Sequence, residues 1–224
     1  MILEFVGLPG AGKTTLCNDL RLSLASTESN RPSKSSVAVP RKPLRKAMGA
    51  IRNPRVALLA ARALLTSPRS WHEKGLAARW FLATLSLYPP RNRSQPDLIL
   101  DEGLLQRSFL IFLEQGGFGP SERVARYVEV IPLADIVIMV ELTPAESLAR
   151  LQSRERPPPL RFRTMTESDL RDTFSAGAEL FDFVLARAQQ RRGGSIQVIR
   201  IPGNDLDLAK QRLAVEIAER LARR

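Results

Sequence analysis

Cysteine and histidine are almost missing from this sequence, with Cys17 and His72 the single representatives of their types. One thiol cannot close an internal disulfide, and neither a cysteine nor a histidine metal cage can be assembled from such a set. Cys17 is therefore read as buried packing and His72 as a helix-surface residue. Long apolar runs are also lacking: none reaches the roughly 18 residues of a membrane span. The chain opens on "ILEFVGLPG" without a basic segment or a cleavage site, so the expected location is cytoplasmic, with no membrane partner. The third scarcity is local. Between Arg31 and Gln95, fourteen lysines and arginines are opposed by Glu73 alone, a balance of +13 in a chain whose total is +11. The basic character thus belongs to one segment, which either attracts an anionic partner or forms an arginine-rich solvated helix surface.

Apolar residues make up 44% of 224 positions, enough to fill the core of one large domain, or of one domain carrying an insertion. The pattern alternates strands with helices. "ILEFV" reads as a short buried strand and the first helix as Lys13 to about Ala25; "VAVP" is a further candidate strand. Residues 44 to 88 carry helical apolar faces broken by "TSPRS", read as two or three inserted helices. "DLILD" is a strand ending at Asp101, and residues 103 to 115 and 121 to 130 look helical. "ADIVIMVEL" is an apolar run suited to a strand buried on both faces. Thr143, Pro144 and Glu146 mark one helix start, and Thr166 with Asp169 another. "SIQVIRI" closes the sheet, and residues 205 to 222 form a last amphipathic helix. This order implies a parallel sheet covered on both sides, in a single α/β domain over 1–224.

The strongest chemical signal is "GLPGAGKTT". Gly7, Gly12, Lys13 and Thr14 match G-x-x-x-x-G-K-[ST] between a strand and a helix. Glycines let the backbone wrap an anion, successive N–H groups point at phosphate oxygens, Lys13 adds charge, and the Thr14 hydroxyl can ligate Mg²⁺. The nucleotide-contacting set is expected to be Gly7, Gly10, Ala11, Gly12, Lys13, Thr14 and Thr15.

Magnesium bridging phosphates needs an acidic partner on a neighbouring strand, and Asp101 stands at a strand end with Glu102 beside it. One carboxylate is expected to hold the metal. The other accepts a proton from an attacking hydroxyl or orients a water. Arg150, Arg154, Arg156, Arg161 and Arg163 then cluster around a proline run, an arrangement suited to a flap over residues 150–165 that neutralises a moving phosphoryl group. Arg107 is a further acceptor-site candidate, with Arg45 and Arg156.

Together "GLPGAGKTT", "LILDEG", "ADIVIMVEL" and "LARLQSRER" resemble the P-loop nucleoside and nucleotide kinase group, thymidylate kinase-like proteins in particular. The resemblance implies a three-layer α/β/α fold with a five-stranded parallel sheet of order 2-3-1-4-5. It also implies ATP with Mg²⁺, transfer of the γ-phosphoryl group, and an Arg-rich lid. By the same similarity Lys13 and Thr14 take phosphate and metal, Arg150, Arg154 and Arg156 fall in the lid, and a homodimer is possible. The basic helical insertion at 41–95 lies where this group builds its acceptor site, and an acceptor already carrying phosphate would suit its charge. At the acceptor motif the sequence reads "DEGLLQRS" rather than Asp-Arg-aromatic or Glu-Arg-Ser, so thymidine monophosphate is not carried over as substrate.

Two other functions fit the same residues. A kinase acting on a nucleic-acid end or a hydroxymethylated base would use the basic segment for the phosphate backbone, with Trp71, Trp80 or Tyr88 for stacking. Those aromatics lie in apolar helical stretches, however, and are expected in the core. A P-loop ATPase or switch protein would use Glu102 to orient water.

Overall fold

The computed structural model describes residues 1–27, 43–88, 98–114, 117–119, 121–154 and 158–222. Its strands are β1 (Ile2–Val6), β2 (Leu98–Leu100), β3 (Leu113–Glu114), β4 (Gly117–Phe118), β5 (Ile136–Glu141) and β6 (Gln197–Pro202). The helices are α1 (Lys13–Thr27), α2 (Pro43–Arg52), α3 (Pro54–Thr66), α4 (Trp71–Leu85) and α5 (Leu104–Phe112), then α6 (Ser121–Val130), α7 (Pro144–Gln152), α8 (Glu167–Arg191) and α9 (Leu206–Ala222).

Period-two alternation along β1 sets the layers. Leu3 and Phe5 face one side, where they pack with Leu16, Cys17 and Leu20 of α1 and with Ala209, Leu213 and Ile217 of α9. Val6 faces the other side, against the larger cluster of α3, α4, α5, α6 and α8. Cys17 is fully buried, as its packing role requires. Between the layers lies a sheet ordered β2-β1-β5-β6, with every pairing parallel. β5 is apolar on both sides because both of its faces are covered. The sheet has four strands among the described residues where five were expected. The strand expected at 37–40 lies outside the described residues.

Among the described residues, the insertion consists of three helices. Pro54 starts α3 at its first turn, where a missing N–H costs nothing, and a Ser70–Glu73 capping box starts α4. The expected boxes also form at Thr143–Glu146 and Thr166–Asp169. The helix expected over 103–115 stops at Phe112 instead. Leu113 is extended and pairs with Phe118 in a short antiparallel hairpin, which the glycine-rich "GGFGP" favours over another helical turn. Of the three aromatics expected in the core, only Tyr88 is there. Trp80 is 40% exposed and Trp71 75%, so the apolar pattern of α4 overstated its burial. Among the described residues, no helix is long and apolar enough to cross a membrane.

Candidate active site

The turn between β1 and α1 is shaped by close backbone approach. Gly7 has φ +151°, and a Cβ there would stand 2.5 Å from the Val140 carbonyl oxygen; at Gly12, φ is +91° and a Cβ would meet Leu206 at 2.8 Å. Only glycine accommodates both demands. Lys13, the first residue of α1, is buried, and its ammonium donates to the carbonyls of Gly7 at 2.7 Å and Leu8 at 2.8 Å. Burial pushes its pKa down to about 8; Glu102 and Asp101 oppose the shift and Arg154 adds to it. A cation held at this cost, beside a helix N-terminus, is suited to an anion.

Glu4 supports this turn from behind. Its alternate position on β1 points it at the N-terminus of α5, where it is fully buried and accepts from Gln106 N–H at 2.8 Å and from the Tyr88 hydroxyl at 2.9 Å. Tyr88 Oη in turn accepts from Leu104 N–H at 3.1 Å, and Gln106 Oε1 accepts from Gly7 N–H at 3.0 Å. Burial lifts Glu4 to about 7, against the lowering effect of those bonds and of Arg107. The glycine turn, β1 and α5 are thereby joined through Gln106 and the Glu4 carboxylate.

Thr14 Oγ1 lies 3.4 Å from Asp101 Oδ2. Among the described residues no group of three metal-ligating side chains occurs. A hydroxyl and one carboxylate nevertheless fit Mg²⁺, which takes one or two protein oxygens and fills its shell with phosphate and water. Glu102 is oriented differently, since its carboxylate pairs with Arg107 at 2.8 Å. Arg107 is buried, donates to Thr84 Oγ1 at 3.0 Å and stacks on Trp80 with 5.6 Å to the ring centroid.

Two cavities meet at this pair. One, of about 310 Å³, is walled by Gly10, Gly12, Lys13, Thr14, Thr15, Gln106 and Arg154. The other, of about 250 Å³, lies under α4 between Arg69, Leu76, Ala77 and Trp80. Glu102, Arg107, Leu110, Pro159 and Arg161 line both. The residues singled out in the sequence therefore divide. Gly10, Gly12, Lys13, Thr14, Thr15, Glu102, Arg107 and Arg154 wall the joined space; Asp101 borders it through Thr14, while Gly7 and Ala11 shape the turn. Arg150 binds backbone instead, donating to the Gly203 carbonyl at 2.8 Å and reaching that of Gly10 at 3.5 Å, which braces the loop together with a Ser147 hydroxyl bond to the Pro9 carbonyl. Arg156 lies outside the described residues. Arg45 is in α2, but its side chain also lies outside them. Glu4, Gln106 and Arg69 were not picked out as site residues, and Trp80 only as a candidate for stacking on a nucleic acid. A lone acid and a lone glutamine in apolar runs were the available signal for the first two.

No protein-family model and no curated protein sequence matches the chain. Among solved structures, deoxyadenosine kinase from M. mycoides with bound dATP superposes with a TM-score of 0.52, covering 97% of this chain and 99% of that one at 14% identity. Two further structures of that enzyme, with products dCMP and a flexible dCDP and with dCTP, give 0.45 and 0.44 at 12% identity. The chain thus has the fold of a P-loop nucleoside kinase, spanning nearly all of it.

Proposed function

We propose that this protein is an ATP-dependent kinase that moves the γ-phosphoryl group to a hydroxyl, or to an existing phosphate, of a small molecule or nucleotide. The observation that carries the proposal is the pair of adjacent cavities, one at the glycine loop and one under α4, that share Glu102 and Arg107 in their walls. A donor phosphate and an acceptor each have a compartment, and the two meet at paired acidic and basic side chains.

In this reading the amides of residues 7–14 and the Lys13 ammonium hold the triphosphate. Mg²⁺, which would be held by Thr14 and Asp101, supplies charge neutralisation at the phosphates. Glu102, kept in place by Arg107, accepts the proton of the acceptor hydroxyl as its oxygen attacks the γ-phosphorus; the bond to the bridging oxygen breaks and ADP leaves. Arg154 neutralises charge on the moving group, and residues 150–165 form the lid. The deoxyadenosine kinase likeness agrees with a nucleoside-sized acceptor.

A compartment of about 250 Å³ lies just below the usual range of ligand pockets, which favours a small molecule over a nucleic acid. The test is incubation with γ-labelled ATP, Mg²⁺ and a pool of nucleosides, nucleotides and sugars. Label on an organic acceptor supports a kinase, and label appearing only as free phosphate contradicts it.

A further inference from the structure

Arg69 and Arg161 are distant in sequence, yet both guanidinium groups converge on one neutral atom, the carbonyl oxygen of Leu113 just beyond α5. Arg69 donates to it through Nη2 and to the Leu110 carbonyl through Nη1. Arg161 donates to it through Nη2 at 3.4 Å and to the Phe109 carbonyl through Nη1 at 3.4 Å. Arg161 is further fixed by the rings of Phe109 at 5.4 Å and Phe162 at 5.0 Å. Capping the end of α5 needs one cation, and two are present. Among the described residues neither forms an ion pair.

Carboxylates act on this pair only from a distance, Glu73 on both arginines and Glu114 on Arg69, and none among the described residues bonds to either guanidinium. Of the two carboxylates in the cavity wall, Glu73 is bonded to the Ser70 amide and hydroxyl, and Glu102 to Arg107. Burial pushes Arg161 down to about 9, and the neighbouring Arg69 pushes the same way against Glu73. Each guanidinium has five N–H donors, so two carbonyl bonds leave three on each for a ligand. Apart from the Glu102–Arg107 pair, the remaining wall is Leu76, Ala77, Trp80, Leu110 and Pro159, which is apolar.

We propose that the Arg69–Arg161 pair is an anion subsite of the compartment under α4, with Arg161 in the wall shared with the phosphate-loop cavity and Arg69 beyond it. Its ligand is a ring-sized hydroxylated molecule whose phosphate or carboxylate is remote from the hydroxyl that reacts. The subsite rests on the kinase reading above and adds the class of acceptor. Arg69 lines the compartment under α4 and is absent from the walls of the phosphate-loop cavity, so the bound anion is a recognition group and not the transferred one. Trp80 covers the body of the molecule, and the arginine forks fit its tail.

The molecule contains two tryptophans, so Trp71→Phe leaves Trp80 as the single reporter of the compartment. With the phosphate loop saturated by Mg²⁺ and a non-hydrolysable ATP analogue, ribose 5-phosphate, ribonate and ribose are titrated in turn. Ribose 5-phosphate or ribonate changes Trp80 fluorescence saturably and ribose does not; whichever anion binds tighter tells phosphate from carboxylate. Arg69→Gln and Arg161→Gln each weaken that binding by about tenfold or more, as expected for lost charged hydrogen bonds. Ribose acting as strongly as both anions, neither anion acting, or unchanged binding in both variants overturns the subsite. The ribose contrast is read in protein with both arginines intact and stands even if an arginine variant fails to fold. Failure of the analogue to bind would instead overturn the kinase reading.

Discussion

The side-chain carbonyl of Gln106 accepts the amide of Gly7 at 3.0 Å, which ties the first residue of the glycine turn to the helix that carries Arg107. The same residue gives its own amide to Glu4 at 2.8 Å. The glycine turn and the helix that walls both cavities are therefore registered to each other by a buried chain of hydrogen bonds. Gln106→Met removes the acceptor and leaves the Gly7 amide unpaired in a buried place. We expect a loss of about 1–3 kcal/mol in urea unfolding, with weaker nucleotide binding.

Glu4 makes stability depend on pH in a direction opposite to that of a salt-bridged carboxylate. Its folded value of about 7 lies above the ordinary 4.5, so the native state holds a proton that the unfolded chain has released. This contribution is fully present below about pH 4.5 and is lost as pH rises toward 7, by an amount on the order of 3 kcal/mol. Glu4→Gln cannot release the proton. Unfolding free energies measured from pH 4.5 to 8 should fall in the wild type and be flatter in the variant; parallel curves would contradict this.

Gly103 stands where the carboxylate needs room. A Cβ at this position would lie 2.2 Å from Glu4 Cδ, although the backbone there, φ −88° and ψ −161°, suits alanine. Glu4 is bonded on both oxygens and cannot swing aside without losing Gln106 or Tyr88. Gly103→Ala is expected to cost about 1–3 kcal/mol by overpacking, seen as a lower melting temperature. A variant as stable as the wild type would show that the carboxylate is free to move.

Lys13, held near 8 by burial, should take up a proton when phosphate arrives, because an adjacent anion favours the ammonium. Calorimetric titrations with ATP in buffers of different ionisation enthalpy, at about one unit above that value, should show net proton uptake. The uptake should fade near pH 6.5 and vanish in Lys13→Ala. Uptake unchanged in the variant would place the titrating group elsewhere.

The glycine turn was legible because its chemistry is contiguous: glycines, lysine and threonine fall within eight residues, and flanking periodicities supply the strand and the helix. Asp101 was legible because a strand end is marked by an apolar run, and the capping boxes because they need only a four-residue spacing. What could not be read joins distant positions. Gly7 and Gln106 are 99 residues apart, and no local pattern distinguishes Gln106 from any polar residue on an apolar helix. Arg69 and Arg161 look like two more basic residues in an arginine-rich chain until Leu113 brings them together. Trp80 was misjudged because an apolar helix pattern reports which faces avoid water, and the wall of a partly apolar cavity has the same composition as a core.

The central claim is that the Gly7–Thr14 turn and the Lys13 ammonium bind a triphosphate, and equilibrium titration of the intact protein with Mg²⁺ and ATP tests it most directly. Saturable binding that weakens by about tenfold or more in Lys13→Ala, with the variant's circular dichroism unchanged, is the predicted result. No saturable binding by the wild type, or equal affinity in the folded variant, would contradict it.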